Sequence, residues 1–317
     1  EGIRNTLRTD LLSAINTAER SLDNPLAVRI LKALLLVKYV RDFKATTDHI
    51  KVLMLPDLET GQTGLGKEIE EALNLLEHQT YVERNGLEYQ YLTDEEKDIE
   101  EEIKATTIET SEIRRFIEDI VFHRILKGTK IRVEAVSEDY SFRRAIDEEQ
   151  PSTGGVVSDL TIRVVTPYHP HASDTNTVLN QSAGKKELLL FTTPDDRFMR
   201  DLRLYFQTDK YARQHLGQDT SSQSHRILTE KQHQNLERRD IIVKKLTDLM
   251  GEADVYVMDT LADKLPADPS IRISQAFQKL VNRAYPRLQC LQVHYTEQSL
   301  QKIIFPDDEH VLYGGDA

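Results

Sequence analysis

Three stretches of this chain carry residue types at spacings that could do chemistry. Gly61-Gln62-Thr63-Gly64-Leu65-Gly66-Lys67 has the glycine and lysine spacing of a phosphate-binding P-loop and leads into a helix. The next residue is Glu68, where such a loop places a Ser or Thr hydroxyl for Mg²⁺. A carboxylate there would face the phosphates at a helix N-terminus, the place where anions are normally received. The apolar run ahead of it stops at Pro56, too early for a strand feeding the loop, so the stretch reads as a loop before a helix. His169-Pro170-His171 with Asp174 offers two alternating imidazoles and an acid. The acid is one residue late for a metallohydrolase pattern and the terminal His is missing, so a surface loop is expected. His123, inside the apolar stretch Ile120–Leu126, reads as a core histidine. Leu188–Asp196 and Val255–Asp259 are apolar strands followed by an acid, which without a phosphate loop is common and uninformative. These residues give no catalytic and no metal-binding assignment.

The third stretch is basic. Lys231, Arg238 and Lys245 recur every seven residues on a long helix, with Arg239 and Lys244 beside them. These five are the candidate DNA contacts, since a cationic helix stripe can track a phosphate backbone. The competing expectation is a solvated face paired with Glu230, Glu237 and Asp240.

Composition bounds the possibilities. The 317 residues hold 41 Lys and Arg against 53 Asp and Glu, a net charge of −12, which argues against a bulk nucleic-acid coat or a membrane-surface role. A single cysteine, Cys290, excludes a disulfide frame and a cysteine metal cage and implies a reducing, cytoplasmic setting. The longest apolar run, Ala33–Val40, is interrupted by Lys38 and is too short to span a bilayer. A start at Glu1 instead of Met suggests a piece of a longer protein.

The elements that must position these residues begin with an amphipathic helix over 6–22. Asn24 as N-cap and Pro25 at the first helical position open a second helix, and Thr47 is expected to cap a short third one around Ile50–Leu55. Lys67–Gln79 has helical period, and Tyr81–Thr93 switches to period two around Asn85-Gly86, which predicts a hairpin with a type I′ turn. Helix, short helix, helix and hairpin form the order of a winged helix. Its would-be recognition helix carries Glu68, Glu70, Glu71 and Glu77 against Lys67 alone, which suits protein packing better than phosphate. Asp94–Glu102 is acidic and reads as a solvated helix continuing to about Lys127. Strands are expected at Lys130–Ala135, Leu160–Val165, Leu188–Phe191 and Asp254–Met258, with a turn at Gly154-Gly155. Thr192–Asp196 should stop a strand and cap a helix striped by Phe198, Leu202, Tyr205 and Phe206. A polar segment, Gly217–Ser224, then precedes a helix from about Thr229 to Met250 with Leu236, Val243 and Met250 in heptad spacing. Ile271–Ala284 and Thr296–Ile304 are the last expected helices. The fold class is therefore α+β, a winged-helix domain followed by a mixed α/β and helical region. The divisions are 1–24 for the first helix, 25–95 for the winged helix, 96–128 for an acidic connecting helix, 129–225 for a mixed α/β domain and 226–317 for a helical C-terminal region.

Several of these segments together resemble one family. Leu31–Val40, Glu83–Thr93, Asp94–Ile99, Arg163-Val-Val-Thr-Pro167, Leu188–Asp196, Arg203–Thr208 and Gly251–Tyr256 are similar to the large P-loop, AAA-like ATPase component of BREX (bacteriophage exclusion) defence systems. The resemblance implies a region C-terminal to the ATPase domain, so ATP and Mg²⁺ belong to the full-length family and no cofactor is expected in this chain. It further implies a scaffold that couples ATPase state to partner subunits or DNA in an antiphage complex, with self-association open and no membrane partner. The alternative is a winged-helix DNA-binding protein acting through the basic helix stripe.

Overall fold

In the computed structural model, Asn24 and Pro25 start a helix as their chemistry requires: the Asn24 side chain accepts from the Leu26 and Ala27 N–H groups and Pro25 occupies the first turn. Residues 9–38, 40, 43–55, 65–148, 158–192, 195–217 and 222–288 are described. The expectations at Gly61–Gly64, Gly154-Gly155, Thr193-Pro194, Cys290 and Thr296–Ile304 lie outside them. Two compact units result, one from residues 1–113 and 195–245, the other from 114–194 and 246–317.

The first unit opens with α1 (Thr9–Ser21), α2 (Pro25–Val37), α3 (Thr47–Met54) and α4 (Leu65–His78), then the hairpin β1 (Val82–Asn85) and β2 (Glu88–Tyr91) and α5 (Asp94–Ala105). Ile30, Leu31, Leu34, Ile50, Ile69, Leu73, Leu76 and Val82 are wholly buried together, since α2, α3 and α4 each turn an apolar stripe inward. Thr46, one residue before the expected Thr47, caps α3. The hairpin also differs by one residue. Asn85 pairs with Glu88, so Gly86 and Leu87 form the loop, and of the two only Gly86 has positive φ (+60°). That is the type II′ pattern, with glycine at the first central position, in place of the expected I′. Thr46 bridges Glu88 beyond the hairpin, and the Tyr89 N–H donates to Ala45 O at 2.9 Å.

The acidic segment is not one helix. Thr93 and Glu96 form a capping box at the start of α5, which stops at Ala105. Then follow α6 (Thr110–Glu118) and a π-helical turn, Asp119–Ile125. The wider π turn buries Ile120, Val121 and Phe122 in succession and leaves His123 exposed, hydrogen-bonded through Nδ1 to Asp119 at 3.2 Å, not in the core as expected.

The second unit continues with β3 (Lys130–Val133), β4 (Glu138–Ser141), β5 (Arg143–Ile146), β6 (Thr161–Val165), α7 (Thr175–Gln181) and β7 (Glu187–Phe191). After α8 (Asp196–His215) and α9 (Ser222–Glu252) come β8 (Asp254–Val257), β9 (Thr260–Leu261) and α10 (Pro269–Ala284). Strands β5, β6 and β7 are parallel neighbours, with α7 as the crossover between β6 and β7; β8 and β9 add antiparallel strands. Phe142 sits between Phe122 (6.4 Å) and Phe277 of α10 (5.5 Å), while Val165, Leu189 and Phe191 on the opposite sheet face cover Val178 of α7. Both faces of β7 are covered, which explains its unbroken apolar run.

Helix α8 is capped by Asp195, as the sequence implied, and returns the chain to the first unit. There Tyr211 and Leu228 of α8 and α9 pack on Ile99 and Ile103 of α5. Gln207 donates to the carbonyls of Lys104 (2.7 Å) and Thr106 (3.1 Å), satisfying the end of α5.

Candidate functional site

The placement of the basic stripe decides most. Along α9 the buried side chains are Leu228, Lys231, Asn235, Arg238, Ile242, Leu246, Leu249 and Met250, a three-to-four spacing that turns one stripe inward. Of the heptad read from sequence, Met250 is buried on that stripe and Val243 is half-buried, while Leu236 is 61% exposed. Lys231 and Arg238, expected as DNA contacts, are 4% and 3% exposed and act as internal counter-ions. The reason is a pair of buried carboxylates, Glu83 on β1 and Glu100 on α5, which α9 meets with its cations. Neither carboxylate could be buried alone without a large desolvation cost.

Lys231 Nζ donates to both Glu83 Oε2 and Glu100 Oε2. Arg238 Nη2 donates to Glu83 Oε1 at 3.3 Å, and its Nη1 to Asn235 Oδ1 at 2.9 Å. Asn235 in turn donates to the Tyr205 carbonyl at 3.0 Å. Two cations and two anions thus cancel inside the unit. Burial pushes the Glu83 carboxyl up, but the Lys231 and Arg238 charges overcome this and hold it below the usual carboxylate range. Burial likewise pulls the Lys231 ammonium down, and Glu83 and Glu100 outweigh it, raising it above the usual lysine value. Nearby, Arg84 Nη2 donates to Asp201 at 2.7 Å, a further tie between β1 and α8. Of the remaining basic candidates, Arg239 is half-buried, Lys244 is exposed, and Lys245 is exposed and paired with Asp195 at 3.3 Å.

The second unit holds a cavity of about 490 Å³ lined by Arg163, His169, Gln181, Ser182, Lys185 and Glu187, among others. The His169-Pro170-His171 segment is a loop with Pro170 and His171 exposed, as expected, but His169 is buried; its Nδ1 accepts the His171 N–H at 3.0 Å, which puts the ring proton on Nε2. Burial pushes its pKa down, so the ring is neutral. Asp174 is the N-cap of α7 and is spent on Thr177. Glu187 accepts a two-pronged Arg163 contact (3.0 and 3.3 Å) and the Ser182 hydroxyl at 2.9 Å, so both of its oxygens are engaged. Asp147, wholly buried with φ +53°, accepts from the Thr166 N–H (2.8 Å), the Thr166 hydroxyl (2.9 Å) and Arg114 Nε (3.3 Å). Burial pushes its carboxyl up. This network closes the C-terminal ends of β5 and β6.

Of the phosphate-loop resemblance, Leu65, Gly66 and Lys67 form the first turn of α4, and Lys67 faces Glu71 at 3.9 Å. With Glu68 beside it, that turn does not fit a nucleotide phosphate. Among the described residues no cluster of three or more His, Cys, Asp or Glu could hold a metal, and no helix is long and apolar enough to cross a membrane.

No solved structure matches the chain. The family model described as "BREX ATP-binding protein BrxC 4th domain with six-stranded beta sheet" matches residues 106–280. That span includes the mixed sheet, which has five strands among the described residues. It also includes the cavity, α8 and α9 with Lys231 and Arg238. With more than half of its length matched, the chain belongs to the BREX ATP-binding protein BrxC family.

Proposed function

We propose that this chain is a non-catalytic interaction region of a BREX ATP-binding subunit, coupling the state of the ATP-binding part to other subunits of the antiphage complex or to DNA. One observation carries the reading: the helix that offered the best nucleic-acid stripe spends Lys231 and Arg238 on locking α9 to β1 and α5. A network of this kind stiffens a body that transmits force and contributes nothing to chemistry. The helices α2, α3 and α4 with the hairpin, and Thr46 bridging Glu88 as a third short strand, support a winged-helix reading. The exposed face of α4 carries Glu68, Glu70 and Glu71, which suits a protein surface and opposes phosphate. ATP and Mg²⁺ then belong to the rest of the subunit, and the setting is the cytoplasm. Capture of the tagged chain from cells producing the other BREX subunits tests this. Recovery of at least one of them above an unrelated tagged control is expected; recovery at the control level refutes it.

A second reading is favoured by Lys244 and Lys245 staying exposed on α9 beside the half-buried Arg239: DNA contact through this reduced stripe. Anisotropy of a labelled duplex over a salt series decides it. Binding that falls steeply with salt and is lost in the triple Glu variant of those three residues supports it.

A further inference from the structure

The cavity of about 490 Å³ in the second unit takes its apolar surface from Val178 of α7 and Leu189 of β7, and its size is that of a small-molecule pocket. The charges in its middle cancel, because Glu187 holds the guanidinium of Arg163 with both oxygens. At its ends they do not. Lys185, just ahead of β7, is exposed and forms no ion pair among the described residues. Glu148, past the end of β5, faces the neutral His169 ring with Oε1 at 3.9 Å from Nε2, too far for a direct hydrogen bond. The His169 Nε2–H therefore has no acceptor, although the side chain is buried, and it opens on the cavity instead of being sealed in protein. A buried donor left this way is costly, so it marks a place for an acceptor on a ligand. Ile146, where β5 ends, and Glu187, where β7 starts, stand three rows and two strands apart, about 14 Å at the backbone. Residues 148 and 185 lie beyond these points, so the free cation and the carboxylate–imidazole pair occupy opposite ends.

We propose that this cavity binds a nucleoside monophosphate, with the base edge at Glu148 and His169 and the phosphate at Lys185. Every base carries a hydrogen-bond donor beside an acceptor on its pairing edge. An acceptor and a donor set 3.9 Å apart, Glu148 Oε1 and His169 Nε2–H, match such an edge, and Val178 and Leu189 give the flat ring apolar surface. The other end takes an anion: Lys185 supplies the charge, and Arg163 the N–H groups not spent on Glu187 and the Asp147 carbonyl. A small inorganic anion would use one end and leave the His169–Glu148 end empty, and a simple cation would meet Lys185. A ligand with an uncharged donor–acceptor edge and a distant anion satisfies both ends at once. The site does not depend on the interaction reading above, which stands or falls on its own.

The test is isothermal titration calorimetry of the whole chain with AMP, GMP, CMP and UMP in turn, and with ribose 5-phosphate as the ligand that lacks a base. At least one of the four nucleotides is expected to bind with Kd below about 1 mM, and ribose 5-phosphate about tenfold more weakly or worse. Lys185→Ala and Glu148→Ala should each weaken the nucleotide about tenfold or more, the loss of a charge-assisted hydrogen bond at either end. Lys186→Ala removes an ammonium that lies over the Tyr285 ring and 3.5 Å from Asp159, outside the cavity lining, and should change binding less than about twofold. Lys185 and Glu148 are exposed, so their variants keep the fold, which circular dichroism checks. Failure of all four nucleotides to bind overturns the proposal. So does ribose 5-phosphate bound as tightly as a nucleotide, which would leave the base end idle, or a loss with Lys186→Ala equal to that with Lys185→Ala, which would mean general attraction to surface lysines.

Discussion

Substituting Lys231 with Met leaves Glu83 and Glu100 in the interior with Arg238 as the single cation in contact with them. Methionine keeps most of the side-chain volume, so the effect isolates the charge. All four groups are 5% exposed or less, and screening by solvent offers little relief. Breaking a buried pair from one side costs about 3–5 kcal/mol. A Lys on a solvated stripe would cost about 0.5 kcal/mol or less. For a unit of this size the larger figure corresponds to a fall in Tm of about 10 °C. The chain contains no Trp, so urea unfolding is best followed by far-UV circular dichroism. A second variant sharpens the test. Lys231→Met with Glu100→Met removes one charge of each sign and leaves Glu83 matched by Arg238, so most of the lost stability should return. A single variant within about 1 kcal/mol of wild type, or a double variant no better than the single, would refute the buried-cluster account.

The same cluster sets a pH dependence. Glu83 titrates lower in the folded chain than unfolded, so its contribution is present above the unfolded carboxyl value of about 4.3 and is lost as pH falls through the folded one. Lys231 titrates higher when folded, so its contribution is present below about 10.4 and is lost as pH rises through the folded value. Between these limits the cluster itself adds no slope to the urea midpoint, and Glu83→Gln should blunt the acid-side fall. In the second unit, Gly251→Ala should destabilise strongly, because an added Cβ would stand 2.3 Å from the Ala267 carbonyl oxygen; thermal unfolding reads this directly. Gly86→Ala should cost about 1–2 kcal/mol in urea unfolding, since φ is +60° and the Cβ would press within 3.1 Å of Ile241 Cδ1. Asp147→Ala should cost about 2–3 kcal/mol in the same assay by leaving the buried Thr166 N–H and hydroxyl without their acceptor.

Local chemistry made much of the fold legible. The caps Asn24 and Asp195, the apolar run at Leu188–Phe191 and the period change at Tyr81 each depend on near neighbours and were read correctly apart from one-residue shifts at Thr46 and Gly86. What failed was long-range. Lys231 and Arg238 look solvated in a sequence because the carboxylates that bury them lie far away, 148 residues off in the case of Lys231 and Glu83. Leu236 looks like a core residue until the helix is seen turned toward those carboxylates. His123 moved outward because a π turn, which no local pattern announced, changed the helix phase.

The most direct test of the interaction role is the mass in solution of the purified chain mixed with the remaining BREX subunits, read by light scattering after size-exclusion chromatography. The account predicts a co-eluting species whose mass is that of this chain plus at least one other subunit. Separate elution of every component at micromolar concentration would contradict it.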